Sequence, residues 1–198
     1  MIKLSVIIPI YNTPAPLLEH CISSIQDNLC LMDDEVEVLM INDGSTESHI
    51  ESMLKAVETA DSRFKYVSKD NSGVSTTRSL GIKMAQGEYI TFIDADDYFE
   101  PDALPYMLQT AMRTDVDMVM FGFCRDEDDI KERKLLKQRF EVNKEIIQTL
   151  ISNNMQWWYS RGTNLASVWA KVYKREKLLI HNISFIQDIA PNEDGYFN

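Results

Sequence analysis

No apolar run in this 198-residue sequence approaches the roughly 20 residues needed to cross a bilayer. The chain opens directly on Leu4-Ser5-Val6-Ile7-Ile8, without the basic start or cleavage site of a secretory signal. The expectation is a cytoplasmic protein whose contact with the inner face of the cell membrane, if any, is peripheral. Cysteine is scarce. Cys21, Cys30 and Cys124 form no CxxC pair, and His20, His49 and His181 do not fall at zinc-ligand spacing, which argues against a zinc site and suits a reducing compartment. Basic residues are outnumbered, with 20 Lys and Arg against 31 Asp and Glu for a formal net charge of -11. A nucleic-acid surface needs clustered cations to displace counterions, so no such partner is expected. Glycine-rich phosphate cradles are missing too: neither GxGxxG after a strand nor GxxxxGK(S/T) occurs, so phosphate must be held in another way.

What is present suits a folded soluble chain, with 44% hydrophobic and 26% charged residues. Short apolar runs at Leu4 to Ile10, Val36 to Ile41, Phe64 to Val67, Tyr89 to Ile93 and Met118 to Phe123 read as buried strands. Amphipathic stretches at Pro14 to Asn28, Thr46 to Ala60, Val74 to Ala85 and Pro101 to Arg113 alternate with them as helices. This alternation predicts a single α/β domain over 1–198, with a mostly parallel central sheet flanked by helices on both faces. After Phe123 the pattern changes to a charge-dense loop or ribbon (Arg125 to Lys137), a helix near Asn143 to Ser152, the aromatic Trp157-Trp158-Tyr159 and a strand-like Ala166 to Tyr173.

Ligands of such sheets bind beyond the carboxyl ends of the strands. Polar residues follow four of the strands: Tyr11-Asn12, Asn42-Asp43-Gly44-Ser45, Lys69-Asp70-Asn71-Ser72-Gly73 and Asp94-Ala95-Asp96-Asp97. The last group crowds carboxylates, which repel unless a cation or donors compensate, and a hard divalent ion such as magnesium or manganese is the natural partner. A plainer reading makes it a solvated turn capping the helix at Pro101. Asp43 is spare after Gly44 turns the chain and Ser45 or Thr46 caps the next helix, so its carboxylate is available to a base or ribose. Arg78, early in its helix, could reach a diphosphate or base, or simply face solvent. Glu193-Asp194 supplies a second acidic site, separate from the first, as needed if one group holds metal and another abstracts a proton.

Six blocks in order resemble the inverting family 2 glycosyltransferases of the A-type (nucleotide-diphospho-sugar transferase) fold. They are Ser5 to Asn12; Asn42 to Thr46; Asn71 to Ser75 with Arg78 and Gly81; Gly87 to Ile90 leading into Asp94-Ala95-Asp96; Trp169 to Lys174; and Glu193-Asp194. Thr77 and Ser79 depart from the Ala and Asn that the family often carries beside this arginine. The resemblance implies transfer of a sugar from a nucleoside-diphosphate sugar, UDP-sugar favoured, to an acceptor hydroxyl on a glycan, lipid-linked or protein acceptor, in bacterial surface polysaccharide or glycoprotein glycan synthesis. It implies that Pro9, Ile10, Tyr11, Asn12, Asp43, Asn71, Arg78, Asp94 and Ala95 bind the nucleotide sugar and that Asp96 holds manganese or magnesium. Asp194 would then be the general base, with Glu193 positioning the acceptor. It divides the chain into a nucleotide-sugar half (1–124) and a partial acceptor half (125–198) truncated at its C-terminus. A nucleotidyltransferase and a non-catalytic nucleotide-sugar-binding or scaffolding module are the alternatives.

Overall fold

The computed structural model describes residues 1–127, 130–134 and 167–185. Its main sheet has the order β3-β2-β1-β4-β8-β5, built from β1 (Leu4–Ile10), β2 (Val36–Asp43), β3 (Phe64–Lys69), β4 (Tyr89–Phe92), β5 (Met118–Met120) and β8 (Lys171–Lys174). Strands β3, β2, β1 and β4 run parallel, while β8 lies antiparallel between β4 and β5. The apolar runs explain this placement. Every residue of β2 is buried, as are all of β1 except Pro9, because both faces of a parallel sheet are covered by helices.

Alternation along β1 divides the core. Leu4, Val6, Ile8 and Ile10 face α1 (Ala15–Leu29), α2 (Ser48–Ala60) and α4 (Ala103–Thr114). Ile7 faces the other way, with Leu39 and Ile41, toward α3 (Val74–Met84) and α5 (Arg175–Ile180). Helix α3 lies close against the sheet because Gly81 has no side chain. A methyl there would sit 2.5 Å from Ile7 Cγ2. Gly87 works alike at the start of β4, where a Cβ would come 2.6 Å from the Ser5 nitrogen.

The second half of the sequence contributes more to the sheet than its pattern suggested. Thr91 Oγ1 donates to the Lys171 carbonyl (2.8 Å), and Lys171 is itself fully buried, its ammonium donating to the Ser167 carbonyl. The strand expected over Ala166 to Tyr173 is confined to Lys171–Lys174 within the described residues. Ala170 takes a left-handed φ of 54°, and Trp169 forms only an isolated bridge with Phe92. Strand β5 ends at Met120, so Phe123 belongs instead to a separate ribbon of β6 (Phe123–Glu127) and β7 (Ile130–Lys134). The expected helix at 143–152, Trp157, Trp158, Tyr159, Glu193 and Asp194 lie outside the described residues.

Candidate functional site

The strand order reverses at β1. Strands β2 and β3 extend from one side of it and β4 joins the other, so a crevice opens between the carboxyl ends of β1 and β4. Proline helps to open it. Pairing of β1 with β4 stops at Ile7↔Phe92, after which the Ile93 N–H donates to the Ile7 carbonyl (3.1 Å), and Pro9 has no N–H with which to continue the ladder. Tyr11 stands at this end 53% exposed, whereas Ile10 is fully buried and belongs to the core.

Across the crevice, Asp94 to Asp97 form a tight turn closed by the Asp97 N–H on the Asp94 carbonyl (3.0 Å). Ala95 packs into the core beneath it, leaving Asp96 and Asp97 exposed. Desolvation, reinforced by the charges of Asp94 and Asp96, pushes the Asp97 carboxyl up to about 6. Such crowding is the electrostatic signature of carboxylates held together without a full set of counter-charges. Asp94 has a compensating partner: Arg78 donates to its Oδ1 at 2.6 Å from a buried position on α3. The guanidinium also lies over the Phe185 ring, 5.5 Å from the centroid. Phe185 is anchored by its N–H to Ser79 Oγ (3.0 Å), which gives Ser79 a structural role in this chain.

The acidic turn does not cap α4. That task falls to α1, whose buried Asn28 accepts from the Leu104 N–H (3.0 Å) and donates to the Glu100 carbonyl (3.2 Å). One turn earlier, Ser24 Oγ accepts from the Phe99 N–H (3.1 Å), and Cys21 Sγ contacts the Asp94 carbonyl (3.7 Å). Burial, and then the charges of Asp97, Asp96 and Asp94, push the Cys21 thiol up, so it stays protonated. Sequence reasoning passed over these residues, yet Ser24 and Asn28 carry a signal. They are polar positions on the face of α1 that Cys21, Ile25 and Leu29 mark as buried.

The β2 and β3 ends form the other part of the rim. Asp43 Oδ1 accepts from the Ser72 N–H (2.9 Å), Asp43 Oδ2 accepts from the Gly73 N–H (2.9 Å), and the Lys69 ammonium donates to Oδ1. The Asp43 carboxylate thus holds the turn that leads into α3. Asn42 Oδ1 takes the Ser45 N–H (2.9 Å) and turns the chain at Gly44. Gly44 has φ +70°, and a Cβ there would meet the Asn71 nitrogen at 2.7 Å, so glycine is needed for both conformation and space. Asn12, also left-handed at φ 48°, ties β1 to this rim: its Oδ1 accepts from the Thr46 N–H (2.8 Å) and its N–H donates to Ser45 Oγ (3.0 Å). The side chain of Asn71 is exposed.

Tyr11, Asn12, Asp43, Asn71, Arg78, Asp94, Ala95 and Asp96 therefore lie along one edge of the sheet. Tyr11, Asn71 and Asp96 are exposed, while Asn12, Asp43 and Arg78 have protein partners. Among the described residues no cluster of three or more His, Cys, Asp or Glu is arranged to hold a metal ion. Exposed Asp96 and Asp97 still fit a magnesium or manganese ion, which needs only one or two protein carboxylates and completes its shell with phosphate oxygens and water.

The family model described as "Glycosyl transferase family 2" matches residues 5–177. The uncharacterized glycosyltransferase EpsJ of Bacillus subtilis (strain 168) is 28% identical over 201 residues, covering 98% of this chain and 54% of EpsJ. The crystal structure of S. aureus TarS in complex with UDP-GlcNAc superimposes with a TM-score of 0.76 at 22% identity, covering 99% of this chain and 52% of that one. The mannosyltransferase PcManGT from Pyrobaculum calidifontis, in complex with GDP-Man and Mn2+, gives 0.66 at 18% identity over 98% of this chain and 50% of its own. The chain spans about half the length of these proteins, and the two structural likenesses are likenesses of fold.

Proposed function

We propose, for this chain, which belongs to glycosyl transferase family 2, the metal-dependent transfer of a sugar from a nucleoside diphosphate, UDP favoured, to an acceptor hydroxyl with inversion at the anomeric carbon. The observation that carries the reading is that exposed Tyr11 and the Asp94, Asp96 and Asp97 carboxylates follow the carboxyl ends of the adjacent parallel strands β1 and β4, where the strand order reverses. The nucleotide complexes of TarS and PcManGT, and the manganese of the latter, support it by likeness of fold.

In this reading Asp96, with the help of Asp97, would hold a divalent ion, and Asp94, fixed by Arg78, would face the ribose or the waters of that ion. A bound ion supplies Lewis-acid stabilisation of the departing diphosphate. Tyr11 offers a ring face to the base, Asp43 an acceptor for a base N–H, and Asn71 a polar contact from the β3 end. Pro9, Ile10 and Ala95 shape the floor of the crevice, and Asn12 holds the rim in register. Asp194 takes the proton from the acceptor hydroxyl as its oxygen attacks, and Glu193 positions the acceptor.

We assign residues 1–124 to the donor side and 125–198 to part of the acceptor side, acting on a glycan, lipid-linked or protein acceptor. We place this transfer in surface polysaccharide or glycoprotein glycan synthesis at the inner face of the cell membrane; the relative EpsJ is a bacterial glycosyltransferase. No helix among the described residues is long and apolar enough to cross a membrane. The test is incubation with a panel of nucleotide sugars with and without manganese. The proposal expects metal-dependent release of nucleoside diphosphate. Release of pyrophosphate would indicate a nucleotidyltransferase, and binding without turnover a non-catalytic module.

A further inference from the structure

We propose that Lys69 sets which nucleobase this site accepts, by leaving the Asp43 carboxylate room for one N–H donor and not two; the inference rests on the nucleotide-sugar reading above. Asp43 and Lys69 are register partners at the ends of β2 and β3, so their side chains leave the sheet on the same face. An ionised carboxylate offers about four lone-pair positions. On Oδ1 the Ser72 N–H (2.9 Å) and the Lys69 ammonium take both. On Oδ2 the Gly73 N–H (2.9 Å) takes one. Among the described residues a single position on Oδ2 is left. Lys69 is fixed in this role because its other two N–H groups go to the Asp70 carbonyl (2.7 Å) and Ser72 Oγ (2.6 Å). All its donors are spent, and Lys69 acts on a base only through Asp43, as a positioning residue.

One open acceptor suits uracil, whose ring presents a single N3–H between two carbonyls. Guanine presents N1–H and an amino N–H side by side, a pair that a carboxylate binds with both oxygens. With Oδ1 filled, one guanine donor stays unpaired against a buried carboxylate, a loss of roughly ten-fold in affinity. Removing Lys69 frees a position on Oδ1 and should let guanine compete.

The experiment is calorimetric titration of UDP, GDP and N3-methyl-UDP, in manganese, into the wild-type chain and Lys69→Met, which keeps the aliphatic stem. The wild type should prefer UDP to GDP about ten-fold, and Lys69→Met should bring the two within about three-fold. A purely structural role for Lys69 would weaken both alike, and an unchanged ratio overturns the proposal while leaving the nucleotide reading intact. N3-methyl-UDP tests the same claim without a variant: the wild type should bind it about ten-fold more weakly than UDP, and equal binding overturns the proposal. A wild-type chain that binds neither UDP nor GDP overturns the nucleotide reading and this proposal together.

Discussion

Asp43 and the Asp94–Asp97 turn both sit at carboxyl ends of parallel strands, yet the protein treats them in opposite ways. Asp43 is buried and accepts hydrogen bonds from two backbone N–H groups and an ammonium. Among the described residues the acidic turn has one ion pair, Arg78 to Asp94, and Asp96 and Asp97 are exposed and mutually repelling. A carboxylate satisfied by the fold is scaffold first and ligand contact second. A carboxylate the fold leaves crowded and exposed is, in the proposed reading, available to a cation from solution.

The largest expected effect lies in neither loop. If the turn supplies metal and a separate group abstracts the proton, Asp194→Asn should keep nucleotide binding and lose roughly 10²- to 10⁴-fold in turnover, measured as nucleoside diphosphate release. Unchanged turnover would remove Asp194 from the mechanism. Next comes the satisfied side of the contrast. Asp43→Ala strips an acceptor from the Ser72 and Gly73 N–H groups and from Lys69, and should cost about 3 kcal/mol in denaturant unfolding. A cost near zero would show that these bonds hold nothing. Gly44→Ala should cost about 2 kcal/mol in the same assay, since it combines a φ of +70° with a collision at Asn71.

The crowded side should respond with the opposite sign. The Asp97 carboxyl is raised in the folded chain to about 6 from 3.8, so the folded state binds its proton more readily than the unfolded state. Stability is therefore lost as pH climbs from the lower value to the higher. Without metal, Asp97→Asn should be more stable than wild type above the folded value by about 1 kcal/mol, allowing for solvent screening of an exposed side chain, and should match it at the unfolded value. Thermal unfolding across that range checks this, and a variant less stable than wild type throughout would deny that desolvation and the neighbouring charges destabilise the ionised Asp97.

Much of this arrangement is legible in the sequence because its cause is local. Continuous apolar runs such as Val36 to Ile41 mark strands covered on both faces, and the polar residues that follow them mark the ligand edge. What escapes is whatever depends on register. Nothing local says that Asp43 will meet Lys69 and hold the turn before α3, since the pairing of β2 with β3 brings them together. Lys171 reads as a surface lysine, yet β8 carries it into the middle of the sheet between β4 and β5. Asn28 reads as a polar residue near a helix end and instead caps a helix 76 residues further along the chain. The acidic turn was recognisable as a candidate site, and its freedom from capping duty became visible only once Asn28 was seen to perform that task.

The contrast reduces to whether the acidic turn is kept open for a metal-bound nucleotide. The most direct measurement is calorimetric titration of UDP with and without manganese into the wild-type chain and Asp96→Ala. The account predicts that manganese tightens binding to the wild type and makes no difference to the variant. Equal affinity with and without manganese in the wild type, or tight manganese-dependent binding that survives in Asp96→Ala, would contradict it.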